Sequence, residues 1–255
     1  MSDHCPTDLE KVTPTLTRLA VLAAMKRELA PLKRRHLPGL DLIETGMGVE
    51  HLEQRLRTEL QERGTGAILG IGLAGALSER LRVGDLVIGR QVLGASRLTS
   101  SDSLHSLANE VHLQGAAIHS GTVLTVDHMV CSAREKETLA SAMDERFVAC
   151  VDMESWGIAR LCSDLRIPFL IVRAISDGFN EDLPLDLNRF RRADGNLDLP
   201  RIIAGALHRP RSIGGLWRLR SQANLCAQRL AEFVEGLLLA MGNEVPGRAG
   251  FRPAS

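Results

Sequence analysis

The chain has 255 residues, of which 44% are hydrophobic, which is enough to bury the core of a single α/β domain. Lys and Arg together number 31, as do Asp and Glu, so the formal net charge is zero, and the chain lacks the overall basic excess that is usual in nucleic-acid-binding proteins. Aromatic residues make up only 3% of the chain, which also argues against base-stacking platforms.

The five cysteines are widely spaced and form no C-x-x-C pair, which is typical of reduced thiols rather than of a disulfide framework or a zinc site. The first residues are polar, unlike a signal peptide, and no apolar run approaches the roughly 20 residues of a membrane span. We therefore expect a cytoplasmic protein. We also expect a loose leader over residues 1–17, a single domain over residues 18–242 and a loose tail over residues 243–255.

The first part of the domain predicts two strands, each followed by a helix. Leu19–Met25 is interpreted as a strand, with a helix as the alternative because the run is rich in Ala and Leu, and a helix follows through Glu28–Lys33. Asp41–Glu44 predicts a second strand, which ends in a glycine turn at residues 45–48, and Val49–Arg63 then has helical spacing. This alternation is typical of a sheet with parallel pairing and helices on both faces.

A glycine-rich stretch follows the third predicted strand, Ala67–Ile71. Gly70, Gly72 and Gly75 spell G-x-G-x-x-G, the fingerprint of a dinucleotide site, which requires a full helix next and an acid after the following strand. The stretch after the glycines is short, and the strand at Asp85–Ile88 begins almost at once with no acid at its end. We interpret the glycines as a strand-to-loop turn, and a dinucleotide enzyme is only an alternative.

The second part of the domain predicts further strands. Ala116–Thr125 is one strand, and Phe147–Met153, a helix over Glu154–Leu165 and a strand at Pro168–Ser176 form a β-α-β unit. The fold class predicted is α/β, a three-layer α/β/α arrangement around a central mixed, largely parallel sheet.

Three acids are expected at one edge of this sheet. Parallel strands bring their C-terminal ends to the same edge, where open α/β sheets bind ligands. Glu28, Glu154 and Asp177 each follow or end a predicted strand. The spacing therefore predicts one candidate site that includes them and the glycine turns.

A family resemblance lies in three stretches: GIGLAGALSERLRVGDLVIG, VDMESWGIARLC and PFLIVRAISD. Together they resemble the purine nucleoside phosphorylase and nucleosidase superfamily, over roughly residues 18–240. The site looks similar to that of the methylthioadenosine/adenosylhomocysteine nucleosidases. The segment DGNLDLPRIIAGALHRPRSIGGLWRLRSQANLC is similar to the tail of the hopanoid-associated phosphorylases.

The resemblance implies roles for two of the acids. Asp177 would donate a proton to N7 of the purine, oriented by Ser176; the alternative is an Asp that caps the turn beginning at Gly178. Glu154 would accept hydrogen bonds from the ribose hydroxyls, with Met153 lying along the sugar. The alternative for Glu154 is a first-turn acid that favours the helix dipole.

The same resemblance implies that Glu28 activates the attacking water, although by itself it is typical of a solvated helix residue. Arg173 lies in an apolar strand, where a charge needs a partner such as Glu28, and it would help anchor the nucleophile. Met129 and Val130 fall where the family packs its purine; the alternative is an ordinary strand end in the core. We interpret Asp152 as structural.

Leu73 is a departure, because the nucleosidases have a hydroxyl residue there, and a leucine cannot hydrogen-bond water or phosphate. Gly72 still leaves room for the backbone to approach a sugar or an anion. Gly46 and Gly48 offer backbone N–H groups to an anion.

The predicted reaction is hydrolysis, because a carboxylate at Glu28 would repel phosphate and favour water. Adenine would leave an adenosyl compound without a cofactor or a metal ion. Similarity to the hopanoid branch makes adenosylhopane, a lipid nucleoside, the leading substrate. The alternatives are phosphorolysis of a purine nucleoside, cleavage of methylthioadenosine or adenosylhomocysteine, and a ligand-binding protein with a decayed site.

Residues 208–230 combine a basic and an apolar character. The basic residues are His208, Arg209, Arg211, Arg218, Arg220 and Arg229, and the apolar ones among them are Leu216, Trp217 and Leu219. This combination predicts peripheral membrane contact, for instance with a lipid-linked substrate; the other interpretation is a solvated helix packed on the domain. We also expect a homodimer or a higher homo-oligomer.

Overall fold

The computed structural model describes residues 18–46, 53–144, 146–190, 198, 201 and 210–243. The leader and nearly all of the tail lie outside these residues. The elements in chain order are β1 Leu19–Ala23, α1 Lys26–Arg35, β2 Leu40–Glu44, α2 Glu53–Glu62, β3 Ala67–Ala76, β4 Leu86–Leu93, β5 Arg97–Thr99, α3 Asp102–Asn109, β6 Ile118–Thr125, α4 Ala133–Ala140, β7 Val148–Asp152, α5 Ser155–Leu165, β8 Phe169–Asp177, the 3-10 helix Leu187–Phe190 and α6 Pro210–Ala240.

The strands form one mixed sheet that closes on itself. Its order is β2-β1-β3-β7-β6-β4-β5, and β8 pairs with both β3 and β4. Strands β3, β7, β6, β4 and β8 therefore make a ring. Within the described residues the antiparallel pairings are β3 with β7, β4 with β5 and β4 with β8, and the other pairings are parallel.

Helices cover both faces of this sheet. Leu29 of α1, Leu104 of α3 and Phe233 of α6 belong to the core on one face, and Leu56 of α2 and Ile158 of α5 belong to the core on the other. Each such side chain contributes roughly 1.5–3 kcal/mol through the burial of apolar surface. The predicted three-layer fold with a mixed, largely parallel sheet is confirmed.

Two details of the prediction are wrong. Strand β3 does not end at Ile71 but continues to Ala76, so the glycines lie within a strand rather than in a strand-to-loop turn. Strands β7 and β8 also do not form a parallel β-α-β pair: β7 runs antiparallel to β3, whereas β8 runs parallel to it. The C-terminal ends of β7 and β8 nevertheless meet beside Gly75, because Gly75 pairs with Val151 on one side and with Asp177 on the other.

The three glycines make room for side chains of the neighbouring strand. A Cβ atom at Gly70 would lie 2.6 Å from Ile171 Cδ1, and one at Gly75 would lie 3.0 Å from Asp177 Oδ2. A Cβ at Gly72 would overlap with the guanidinium of Arg173. The motif therefore allows β8 to place an arginine and an aspartate against β3.

Candidate functional site

Two buried cations mark the site. Arg173 and Lys136 are the largest of the almost fully buried side chains that the structure describes. A buried charge is stable only when it is paired and hydrogen-bonded, and here each cation has an aspartate partner. Arg173 pairs with Asp152, and Lys136 pairs with Asp177.

Arg173 connects the end of β7 to the middle of β8. Its Nε donates hydrogen bonds to Asp152 Oδ2 at 2.5 Å and to Ser155 Oγ at 2.9 Å. Thr125 Oγ1 donates to Asp152 Oδ1 at 2.8 Å, so the carboxylate is held from two sides. The sequence suggested Glu28 as the ionic partner of Arg173, but the direct partner is Asp152. The reason is that β7 runs antiparallel to β3, which brings the C-terminal end of β7 back along β3.

Glu28 is only 2% exposed, so the interpretation as a solvated helix residue is wrong. Its Oε2 accepts the N–H of Met25 at 2.9 Å, and its Oε1 accepts the N–H of Leu73 at 3.2 Å. Burial raises the pKa of Glu28, while the backbone N–H of Met25 and the charge of Arg173 act in the opposite direction. Both carboxylate oxygens are therefore fixed, and Gly72 provides the space beside them.

The leucine that departs from the family pattern contributes its backbone. The side chain of Leu73 is partly buried against the core that contains α1, α3 and α6, and its N–H holds Glu28. The lost hydroxyl is therefore not needed to orient that carboxylate. Gly46 adopts a positive φ of 77°, and Gly48 lies outside the described residues.

Glu154 lies at the N-cap of α5, but its side chain makes no capping hydrogen bond. The pKa of Glu154 is raised to about 8, first by burial and then by the neighbouring charges of Asp152 and Glu28, while the charge of Arg173 acts in the opposite direction. Near neutral pH this carboxyl group is therefore largely protonated and can both donate and accept hydrogen bonds. Met153 lies next to it and is half-buried.

The electrostatics of this cluster favour a neutral or cationic ligand group. Three carboxyl groups, of Glu28, Asp152 and Glu154, interact with one arginine. The Nη2 atom of Arg173 is buried and has no hydrogen-bond partner among the described residues. An unpaired buried donor costs about 1–3 kcal/mol, so a water or hydroxyl oxygen bound there would stabilise the site.

Asp177 lies four residues beyond Arg173 on β8, roughly 13 Å along an extended strand. Its Oδ2 accepts a hydrogen bond from Lys136 Nζ at 2.5 Å, and its Oδ1 accepts one from Ser176 Oγ at 2.7 Å. The expected contact between Ser176 and Asp177 is therefore present. Asp177 does not simply cap the following turn, because both of its oxygens are held by side chains.

Sequence reasoning missed Lys136. It belongs to the charged stretch AREKETLA of α4, in which Arg134 and Glu137 are exposed, so its charge pattern is typical of a solvated helix. Ser132 caps this helix by accepting the N–H of Glu135 at 3.3 Å. Nothing in that pattern distinguishes the buried lysine from its exposed neighbours.

Met129 and Val130 face two different apolar clusters. The backbone of Met129 forms a pair of hydrogen bonds, both 2.8 Å, with the amide of Asn188. Its side chain packs with Leu185 and Leu187, whereas Val130 packs against Ala149 and its neighbours in β7. Their contact with a purine stays a prediction.

Part of the apolar face predicted for the long helix α6 packs against the rest of the protein. Leu216 and Leu219 pack against the cluster that contains Leu185, and Arg218 forms an ion pair with Glu181 at 2.8 Å. Trp217 is 69% exposed. None of the helices in the described ranges has the length and apolar character needed to cross a membrane. Residues 202–209 lie outside the described residues.

Solved structures of similar fold cover most of the chain. The 5′-methylthioadenosine/S-adenosylhomocysteine nucleosidase of Neisseria meningitidis, in complex with methylthio-immucillin-A, superposes with a TM-score of 0.66 at 20% identity, over 88% of this chain and 99% of that one. The futalosine hydrolase of Helicobacter pylori gives a TM-score of 0.65 at 19% identity, over 88% and 98% of the two chains. These likenesses show the fold.

Sequence relatives agree with these structures. The 5′-methylthioadenosine/S-adenosylhomocysteine nucleosidase of Shewanella sediminis is 24% identical over 188 residues, which are 66% of this chain and 82% of that protein. The corresponding nucleosidase of Haemophilus ducreyi is 27% identical over 173 residues, which are 57% and 74% of the two chains. These relatives support the predicted class of enzyme, a purine nucleosidase or nucleoside phosphorylase.

The sequence model of one protein family, the phosphorylase superfamily, matches residues 39–204, which is more than half of the sequence. The chain therefore belongs to this superfamily.

Proposed function

We propose that the protein is a purine nucleosidase that cleaves the N-ribosidic bond of an adenosyl nucleoside by hydrolysis. The observation that carries this proposal is the cluster of Glu28, Glu154 and Asp152 around Arg173. Cleavage of the bond builds positive charge on the sugar, and carboxyl groups fixed before the reaction stabilise that charge. Nucleosidases among the relatives support the same reaction type.

The two parts of the site suit the two parts of such a substrate. Glu28, with both oxygens anchored, would take the proton of the attacking water, and the free Nη2 donor of Arg173 would hold the water oxygen. Glu154 would bind the ribose hydroxyls. Asp177, held by Ser176, would deliver a proton to N7 of the purine, so that the base leaves as a neutral molecule.

The charge balance of the first cluster favours water over phosphate as the nucleophile. Phosphate needs several cationic or N–H donors, whereas Arg173 is the single cation among three carboxyl groups of the described cluster. The test is adenine release in phosphate-free buffer, with Asp177→Asn as the inactive control. We expect a free ribosyl product at a rate that added phosphate does not change. A requirement for phosphate with formation of a sugar 1-phosphate would contradict hydrolysis.

The leading substrate is adenosylhopane, on the resemblance of the C-terminal segment to the hopanoid branch. Methylthioadenosine and S-adenosylhomocysteine are the second candidates, because the relatives are named for those compounds. A panel of these three with adenosine, compared by kcat/KM, decides between them. A preference for methylthioadenosine over adenosylhopane would remove the lipid substrate.

Membrane contact and self-association stay predictions. The exposed Trp217 next to Arg218 and Arg220 supports contact between α6 and an anionic membrane surface. Co-sedimentation with vesicles that contain anionic lipid tests it, with Trp217→Ser as the variant that should lose binding. Sedimentation equilibrium determines whether the chain forms the expected homodimer or a higher homo-oligomer.

A further inference from the structure

The proposed mechanism gives no role to the buried lysine that contacts Asp177. Lys136 is fully buried, and all three protons of its ammonium group have acceptors. Nζ donates to Asp177 Oδ2 at 2.5 Å, to the carbonyl of Gly178 at 2.7 Å and to the carbonyl of Glu181 at 2.9 Å. A cation in this position needs an explanation, because burying an ammonium group is costly even when it is paired.

The hydrogen bonds of Asp177 raise the question of where its transferable proton comes from. Oδ1 accepts the hydroxyl proton of Ser176 and Oδ2 accepts a proton of Lys136, so the carboxylate as it stands is an acceptor at both oxygens. A general acid must instead hold a proton to give. The serine hydroxyl is a poor acid, whereas a buried lysine can exist as a neutral amine. The only acidic proton hydrogen-bonded to this carboxylate within the described residues is therefore that on Lys136 Nζ.

We propose that Lys136 is a positioning residue that acts through Asp177: it holds the carboxylate and supplies the proton that Asp177 passes to the leaving base. This inference rests on the proposed nucleosidase function. As the C–N bond breaks, its electron pair goes to the base. One proton moves from Lys136 Nζ to Asp177 Oδ2 and from that carboxyl group to a nitrogen of the base. Lys136 becomes a neutral amine, Asp177 is again a carboxylate, and solvent returns the proton to the amine after the products leave.

The turn after β8 shows how the lysine is held in place. Glu181 accepts from Lys136 through its carbonyl and from the N–H of Gly178 through its side chain at 3.1 Å. Asp182 accepts the N–H of Ala133, at the start of α4, at 2.7 Å. These contacts fix the helix that carries Lys136 to the turn that follows Asp177.

The test compares two leaving groups in the full-length protein. Adenine needs a proton to leave, whereas the nitrophenolate of 4-nitrophenyl β-D-riboside does not. We expect Lys136→Met to lower kcat on the adenosyl nucleoside about 100-fold or more, and to change the rate on the nitrophenyl riboside by less than about 3-fold. Asp177→Asn should give the same pattern. An equal loss on both substrates, or no loss on the nucleoside, would overturn the proposal.

A second variant separates proton supply from charge. Lys136→Arg keeps a cation beside Asp177, but a guanidinium does not give up its proton in a protein. We expect this variant to remain at least about 10-fold impaired on the nucleoside. Recovery of the wild-type rate would show that only the charge matters and would refute the proton transfer.

The double variant Lys136→Met/Asp177→Asn needs no second substrate and leaves no unpaired charge. The kinetic effects of substitutions at residues that act as a unit do not add. The double variant should therefore be no slower on the nucleoside than Asp177→Asn alone. A further loss of more than about 10-fold would refute the coupling.

If the wild-type chain releases no adenine from any substrate of the panel, the proposed function fails. If the wild type is active and Lys136→Met is equally active, only this inference fails.

Discussion

The two buried ion pairs on β8 differ in how completely they are satisfied. Arg173 faces Asp152 together with the carboxyl groups of Glu28 and Glu154, and one of its nitrogens has no partner among the described residues. Lys136 faces one carboxylate, and all of its donors are used. The first centre holds more carboxyl groups than cations and has an unused donor, which suits a substrate oxygen and a developing cation. The second is electrically balanced, which suits the storage of a proton.

The chemistry of the two cations fits this division. An arginine keeps its charge in all conditions that a folded protein tolerates, so it can hold an oxygen without changing its protonation state. A lysine can lose its proton when it is desolvated. Exchanging the two residue types would therefore not be conservative at either position.

The largest expected effect is on activity at the lysine centre. Asp177→Asn removes the group that transfers the proton but keeps an oxygen for Lys136. We expect kcat on an adenosyl nucleoside to fall roughly 10²–10⁴-fold, with a native circular dichroism spectrum. The matched control is Asp186→Asn, which breaks the exposed pair with Arg189 at 3.0 Å and should leave kcat unchanged. Retained activity in Asp177→Asn would remove the aspartate from the mechanism.

The next effect is on stability at the arginine centre. Arg173→Met leaves the buried carboxylate of Asp152 without its cation, and breaking a buried pair in this way costs about 3–5 kcal/mol. The free energy of unfolding, measured in urea, should fall by that amount. Arg189→Met, which removes the exposed cation near Asp186, should change it by less than about 1 kcal/mol. Similar losses in the two variants would contradict the structural role of the Arg173–Asp152 pair.

A smaller effect distinguishes the glycines that accommodate the two centres. Gly72→Ala places a Cβ against the guanidinium of Arg173 and should destabilise the fold by about 1–3 kcal/mol. Gly75→Ala, whose Cβ would lie 3.0 Å from Asp177 Oδ2, should cost less. Gly214 in α6 has open space around it, so Gly214→Ala should be neutral or stabilising. Thermal unfolding of the three variants should follow this order, and a reversed order would show that the close approach to Arg173 is unimportant.

The last effect is a pH dependence of stability at the arginine centre. Burial raises the pKa of Glu154 from 4.5 to about 8, so between these values the folded protein holds a proton that the unfolded chain has lost. The free energy of unfolding contributed by this group therefore falls as pH rises from about 4.5 to about 8. Glu154→Gln removes the titration and should flatten that part of the profile in urea unfolding at several pH values. An unchanged slope would show that Glu154 is not desolvated in solution.

Much of the site could be predicted from short motifs. The resemblance of V-D-M-E and R-A-I-S-D to family motifs led to Glu154, Arg173 and Asp177 as candidates, and Glu154 and Asp177 also follow or end predicted strands. The partners of the two cations could not be predicted in this way. Asp152 and Arg173 are 21 residues apart, and Lys136 and Asp177 are 41 apart, and local pattern carries no information about such pairs.

The sequence by itself determined the alternation of strands and helices, the acidic residues of the site and the departure at Leu73, since these depend on residue type and local periodicity. The tertiary structure decided the closure of the sheet and the antiparallel entry of β7, which bring Asp152 to Arg173. It also decided the burial of Lys136. The charge pattern of a helix shows which residues can be solvated. Only the packing of this helix against the turn after β8 shows that Lys136 is the charged residue buried against Asp177.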